Sequence, residues 1–248
     1  MHPKFREAIE LHKNGKLIKA NNILLEILKE APNDFDSLHL LGIIAFQTNR
    51  HEASVDLIKK ATEVNPNNPE VYKNLAIAYK SIGKLEDALK CCDKAVKLNP
   101  NYAEAYNHRA HILIELNQYD SAIKNWNKAL EIKPDFAQVF NNLGNVYAKL
   151  KKYDESLNYY NKAIQIKINF PEAYVNRAFV LKEFKKYDLA LEDCRKAIKI
   201  NPNFAEAYNN QGIILREQKK IKSAYESYTK AFNINPNLDF LFGALIYS

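Results

Sequence analysis

The sequence predicts an all-α protein, a right-handed superhelical α-solenoid of seven 34-residue helix-turn-helix repeats followed by a short C-terminal helical stub. Three observations predict it. Pro32, Pro66, Pro100, Pro134, Pro202 and Pro236 fall on one 34-residue grid, with Ile168 at the vacant place and Pro171 three residues on. Small residues recur at the eighth place of that grid, as Ala76, Ala110, Gly144, Ala178 and Gly212. Between the prolines, apolar residues follow helical spacing, and glycine is scarce. Self-similarity at a fixed period of roughly 20–50 residues marks a stacked-repeat architecture.

On this grid the repeats run 1–34, 35–68, 69–102, 103–136, 137–170, 171–204 and 205–238, with 239–248 as the stub and no domain boundary expected before residue 238. The first repeat fits loosely, through Leu11, Gly15, Ala20, Leu24 and Pro32. The fifth shows how a unit is built. Phe140, Leu143, Gly144 and Tyr147 form one stripe on a first helix, and Lys151-Lys152 mark the turn. Tyr153, Ser156, Leu157, Tyr160, Ala163 and Ile164 form the matching stripe on a second helix. The eighth place must be small so that the two helices approach, and Ala88, Ala122, Ser156, Ala190 and Ala224 answer it from the second helix. The closing proline ends each unit because its ring cannot continue a helix. Stacked hairpins then share a core and present a concave face built from their first helices.

Segments such as Ala205-Glu206-Ala207-Tyr208-Asn209-Asn210-Gln211-Gly212 resemble the tetratricopeptide repeat pattern, which covers residues 35–238. Membership would imply a binding scaffold. Within that family, Phe140-Asn141-Asn142-Leu143-Gly144-Asn145-Val146-Tyr147 is similar to the repeat arm of the O-linked N-acetylglucosamine transferases. The run Asn235-Pro236-Asn237-Leu238-Asp239-Phe240-Leu241-Phe242-Gly243-Ala244-Leu245 is similar to the passage leading into the catalytic domain of their bacterial relatives. That resemblance implies an asparagine ladder holding a substrate polypeptide, with any catalytic domain following Ser248 in a longer protein.

The sixth place of the grid reads Asn74, His108, Asn142, Asn176 and Asn210. Asparagine is a mediocre helix-interior residue, and its amide can pair with the main chain of an extended peptide. These five residues and Asn145 are the expected peptide-binding groove, with Lys73, Asn107, His111, Asn141 and Asn209 secondary to it. The alternative is that an asparagine-rich chain gathers asparagine on its surfaces without a ligand. A clamp for a carboxylate tail would need bases at the second and sixth places of one repeat, and only Lys73 approaches one.

No catalytic constellation is evident, so the chain is expected to be no enzyme and to need no cofactor. Glu70, Glu104, Glu172 and Glu206 are first-turn acids favoured by the helix dipole. His108 and His111 lie one turn apart without a third ligand, so a metal is not expected. Arg109 and Arg177 replace leucine at the seventh place, where their stems would pack while the guanidinium reaches water. Cys92 and Cys194 share one core position.

The net charge of +7 is partly gathered in Lys151, Lys152, Lys185, Lys186, Lys219 and Lys220, a basic edge in the turns of three consecutive repeats. Such an edge could serve RNA or an anionic membrane. Without aromatic platforms beside it nucleic acid is an improbable partner, and solvated turn lysines are the plain account. No apolar run spans a bilayer and the first residues lack a signal peptide's design, so a cytoplasmic location is expected. Phe240, Leu241, Phe242, Leu245, Ile246 and Tyr247 leave 240–247 apolar, a surface for more chain or for self-association.

Overall fold

The computed structural model describes residues 4–237, so the expectations placed on 239–248 lie outside the described residues. Two compact units divide at Pro134 and Asp135. The N-terminal unit holds α1 (Phe5–Lys13), α2 (Leu17–Glu30), α3 (Phe35–Gln47), α4 (His51–Val64), α5 (Pro69–Ser81), α6 (Leu85–Leu98), α7 (Ala103–Glu115) and α8 (Tyr119–Ile132). The C-terminal unit holds α9 (Ala137–Lys149), α10 (Tyr153–Ile166), α11 (Pro171–Glu183), α12 (Tyr187–Ile200), α13 (Ala205–Glu217) and α14 (Ile221–Ile234). Among the described residues there is no strand, and no helix is long and apolar enough to cross a membrane.

Each odd-numbered helix pairs with the next as a hairpin, and every hairpin sits on one 34-residue repeat. Within each unit the hairpins stack in chain order. Their first helices also touch: α1 to α3, α3 to α5 and α5 to α7 in one unit, α9 to α11 and α11 to α13 in the other.

Local chemistry sets the bounds. Asp34 caps α3 by accepting from Ser37 N at 2.9 Å, and Asn68 caps α5 by accepting from Glu70 N at 2.9 Å, with Pro69 as the first helical residue. The asparagines before the grid prolines fold the turns between hairpins. Asn99 Oδ1 accepts from Asn101 N at 3.0 Å, and Asn201 Oδ1 from Asn203 N at 3.1 Å. Part of the chain's asparagine richness is therefore turn chemistry.

The turn inside each hairpin passes through one left-handed residue. These are Gly15, Asn49, Gly83, Asn117, Lys151, Lys185 and Lys219, with φ from 57° to 75°. The following N–H then reaches back over the turn, as in Lys152 N to Tyr147 O at 2.8 Å, and satisfies a carbonyl at the helix end. Glycine and asparagine occupy this conformation readily. Lysine does so at a cost of about 1–2 kcal/mol.

Pairing across the hairpin is by volume in most repeats, with Ala110 opposite the buried Trp126 as an exception. A Cβ at Gly144 would lie 2.5 Å from Tyr160 Cε1, and one at Gly212 would lie 2.6 Å from Tyr228 Cε1. Where the eighth place is Ala76 or Ala178, the answering side chain shrinks to Cys92 or Cys194, both fully buried. Burial pushes these thiols up to about 12, which leaves them protonated core residues. Where serine replaces alanine on the second helix, its hydroxyl donates to the glycine carbonyl opposite: Ser54 to Gly42 O and Ser156 to Gly144 O, both at 2.8 Å.

Candidate functional site

The first helices of each hairpin carry the predicted ladder on a half-buried strip. In the C-terminal unit Asn176 Nδ2 donates to Asn141 Oδ1 at 3.0 Å, and Asn210 Nδ2 donates to Val175 O at 3.4 Å. In the N-terminal unit Asn74 Nδ2 lies 2.8 Å from His39 Nε2. An amide nitrogen can only donate, so His39 accepts on Nε2 and carries its proton on Nδ1. Burial, assisted by Lys73 and opposed by Glu70 and Asp36, holds His39 below its ordinary range.

One rule covers all three bonds. The sixth-place amide donates to the fifth-place residue of the hairpin before it, 35 residues back. Asn74, Asn176 and Asn210 are thus structural staples as well as surface groups. The offset that mid-helix asparagine requires is found inside the fold, a role that sequence reasoning missed along with His39. Among the described residues these three amides make no other hydrogen bond, so the oxygen and second N–H of each stay open. A staple of this kind also fixes each amide in one orientation.

The secondary residues divide. Asn107 is 9% exposed and accepts from Trp126 Nε1 at 2.9 Å, while Asn141 is 7% exposed and is held by Asn176. Both amides are therefore buried groups, each bonded to a neighbouring side chain. Asn145 is exposed and accepts from Tyr160 Oη at 2.7 Å. Asn142 and Asn209 are half-buried on the same strip. Asn145, Tyr160, Asn176 and the exposed Phe179 line a depression of about 320 Å³ in the C-terminal unit. Phe179 was not singled out from the sequence. Its signal is an aromatic ring at the ninth place, where repeat five has Asn145.

The histidines and Lys73 lie in the N-terminal unit. Burial first, and then Lys73, His111 and Lys80 against an opposing Glu104, push His108 down to about 4. His111 is lowered by burial and Lys80, and its ring stands edge-on to Trp126 at 5.6 Å. Glu115 is engaged by Lys80 at 2.7 Å. Among the described residues no group of three or more His, Cys, Asp or Glu gathers as a metal site. The Lys73 ammonium sits over the Tyr102 ring at 5.9 Å.

The seventh-place arginines do more than the expectation gave them: each guanidinium is held by partners, while 30% of the Arg109 side chain and 20% of the Arg177 side chain stay exposed. Arg177 grips Asp193 with two bonds of 2.7 Å and donates to Asn161 at 2.6 Å, and Asp193 is only 2% exposed. Arg109 lies 2.7 Å from Asp93 and donates to Asn125 at 3.1 Å. Each arginine bridges one carboxylate and one amide, with the two partners exchanged. For Arg177 the acid is in its own hairpin; for Arg109 it is in the hairpin before. Burial opposes the Arg177 charge, but Asp193 outweighs it and raises the pKa. Its signal in the sequence was an acid or amide at the twenty-third and twenty-fifth places.

The six basic-edge lysines are all exposed, and among the described residues none joins an ion pair. The expected lack of aromatic neighbours is not found. Lys152 lies over Tyr147 at 5.9 Å, Lys186 lies over Phe184 at 5.5 Å, and Tyr153 meets Phe184 edge-on at 5.9 Å.

Comparisons with known proteins extend this picture. Tetratricopeptide repeat models match residues 35–68, 69–102, 137–170 and 171–204, and overlapping ones match 91–124, 110–151 and 194–226. The UDP-N-acetylglucosamine–peptide N-acetylglucosaminyltransferase of Caenorhabditis elegans is 35% identical over 75 residues, which is 30% of this chain and 6% of that protein. The chain thus matches only a small part of that relative's length. Among solved structures, YrrB, described as a TPR protein with an unusual peptide-binding site, is 28% identical over 76% of this chain and 97% of its own, with a TM-score of 0.57. A tetratricopeptide repeat protein from Parabacteroides merdae is 22% identical over 99% of this chain and 98% of its own, with a TM-score of 0.76, a likeness of fold.

Proposed function

Because the chain belongs to the tetratricopeptide repeat family, we propose that it is a binding scaffold that holds an extended peptide, or an extended stretch of a partner protein, against the ladder strip. The observation that carries this reading is the set of stapled amides. Asn74, Asn176 and Asn210 each spend one N–H on the preceding hairpin and keep an oxygen and an N–H for a ligand. Groups already held in place lose little further freedom on binding, which favours affinity. Pairing through amides reads the main chain and tolerates many side chains, while the depression beside Phe179 accepts an occasional apolar one. YrrB, whose description gives it a peptide-binding site, supports the same reading.

The test is a peptide selected on the immobilised protein and then altered. N-methylation at the bonded positions removes main-chain donors and should weaken binding at least tenfold, while alanine replacements at most side chains should change it little. Dependence on side chains alone, with N-methylation harmless, would refute the reading.

A second reading rests on the 35% identity to the C. elegans transferase. Here the repeats recruit substrate polypeptide for a nucleotide-sugar transferase domain carried beyond Ser248. The intact mass of the native gene product decides between them. A mass well above 28.6 kDa supports the arm, and one equal to it supports a free scaffold.

A further inference from the structure

We propose that the turn edge of the C-terminal unit, which adjoins the ladder strip at the depression that Lys151 and Tyr153 share with Asn145 and Asn176, is a binding surface for single-stranded nucleic acid. The first observation is backbone conformation. All seven hairpin turns need a left-handed residue, and the first four repeats supply Gly15, Asn49, Gly83 and Asn117. The last three place Lys151, Lys185 and Lys219 there instead, at φ of 57° to 61°. Unfavourable conformations held by ordinary side chains gather at functional sites, and here the same residue type recurs in three successive turns. Each is followed by a second lysine.

The turns adjoin one another. Tyr153 of one turn touches Phe184 of the next, and Gln218 of the third donates to Asp188 of the second at 3.4 Å. Charge accumulates along them. Residues 149–155 carry three bases and two acids, 182–188 three and two, and 216–222 four and one, so the edge has a net charge of +5. Lys182 engages Glu183 at 2.6 Å and Glu217 at 3.8 Å, whereas among the described residues the six turn lysines have no acid partner.

Rings flank the cations of the first two turns: Tyr147, itself stacked on Tyr159, beneath Lys152, then Tyr153, and Phe184 beneath Lys186, the last 37% exposed. A row of ammonium groups interleaved with aromatic rings suits a single strand, whose phosphates meet the lysines while bases stack on rings. A duplex hides its base faces, and the carboxylates of an acidic peptide would leave the rings unused.

The probe is a fluorescent oligothymidylate of about 20 nucleotides, titrated with the full chain at about 0.15 M salt. The native chain should bind it, preferring it to duplex DNA of equal length. The decisive variant is Lys151→Gly with Lys185→Gly and Lys219→Gly. Losing three phosphate contacts should weaken binding about 50-fold at that salt and flatten the salt slope by about 2. Relief of backbone strain should meanwhile raise the melting temperature by roughly 5 °C. A variant that is sturdier yet binds less cannot be dismissed as misfolded. Lys59→Gln with Lys60→Gln and Lys97→Gln makes the same charge change elsewhere and should alter affinity by less than about twofold. Phe184→Ala should weaken binding without changing the salt slope. The proposal is overturned by no binding of the native chain at this salt, by full binding of the glycine variant, by preference for duplex, or by tighter lysine-dependent binding to phosphatidylserine vesicles.

Discussion

Replacing Asn176 by alanine separates the two roles of the ladder. The substitution removes the 3.0 Å bond to Asn141 and leaves the oxygen of a 7% exposed amide without a donor. An unmet buried acceptor costs about 1–3 kcal/mol. For a chain of this size each kcal/mol moves the melting temperature by about 2–4 °C, so a fall of roughly 4–8 °C is expected from the middle of that range. Calorimetry on Asn176→Ala, Asn141→Ala and the double variant would show it, with the double variant losing less than the two singles summed. Asn209→Ala, which removes a half-buried strip amide with no side-chain hydrogen bond among the described residues, should melt within about 1 °C of the native chain. If Asn176→Ala melted like the native protein while losing a selected peptide, the staple would contribute nothing and the amide would serve the ligand alone.

Other outcomes follow from the same geometry. Asp193→Ala strands the Arg177 guanidinium and should cost about 3–5 kcal/mol by urea denaturation, whereas Arg177→Leu with Asp193→Leu should recover most of it. His108 binds its proton more weakly folded than unfolded. Stability is therefore whole above the ordinary histidine range near 6.5 and falls as pH drops towards about 4, by up to about 3 kcal/mol. His108→Asn should flatten that part of a pH–stability curve, and an unchanged curve would count against the burial assigned to this ring. Gly144→Ala drives a methyl into Tyr160 and should cost about 1–3 kcal/mol, most of it regained with Tyr160→Leu.

The period, the helix pairs and the small eighth place were all legible in the sequence, because each is written as a residue type at a fixed interval. Bond partners were not. Nothing in Asn176 read alone points to Asn141, since the two meet only when one hairpin is laid on the next. The arginines' partners were hidden because a long side chain on a stripe looks the same whether its head meets only water or a buried Asp193. The left-handed turn was legible and overlooked. Gly15, Asn49, Gly83 and Asn117 share a column with Lys151, Lys185 and Lys219, and that column of permissive residues discloses the conformation the lysines must accept.

The exchanged partners of the two arginines bear on how such a chain can be rearranged. Arg109 draws its counter-charge from the hairpin before it, Arg177 from its own. Transplant the sixth repeat into the fourth position and its arginine would face two aspartates, its own and Asp93. Transplant the fourth into the sixth and its arginine would face only Asn125 and Asn161, a cation with amides and no counter-charge. Outwardly interchangeable hairpins therefore carry an address: recombination that shuffles or duplicates them breaks electrical neutrality at the seam, and a viable rearrangement must move an arginine together with whichever neighbour holds its acid.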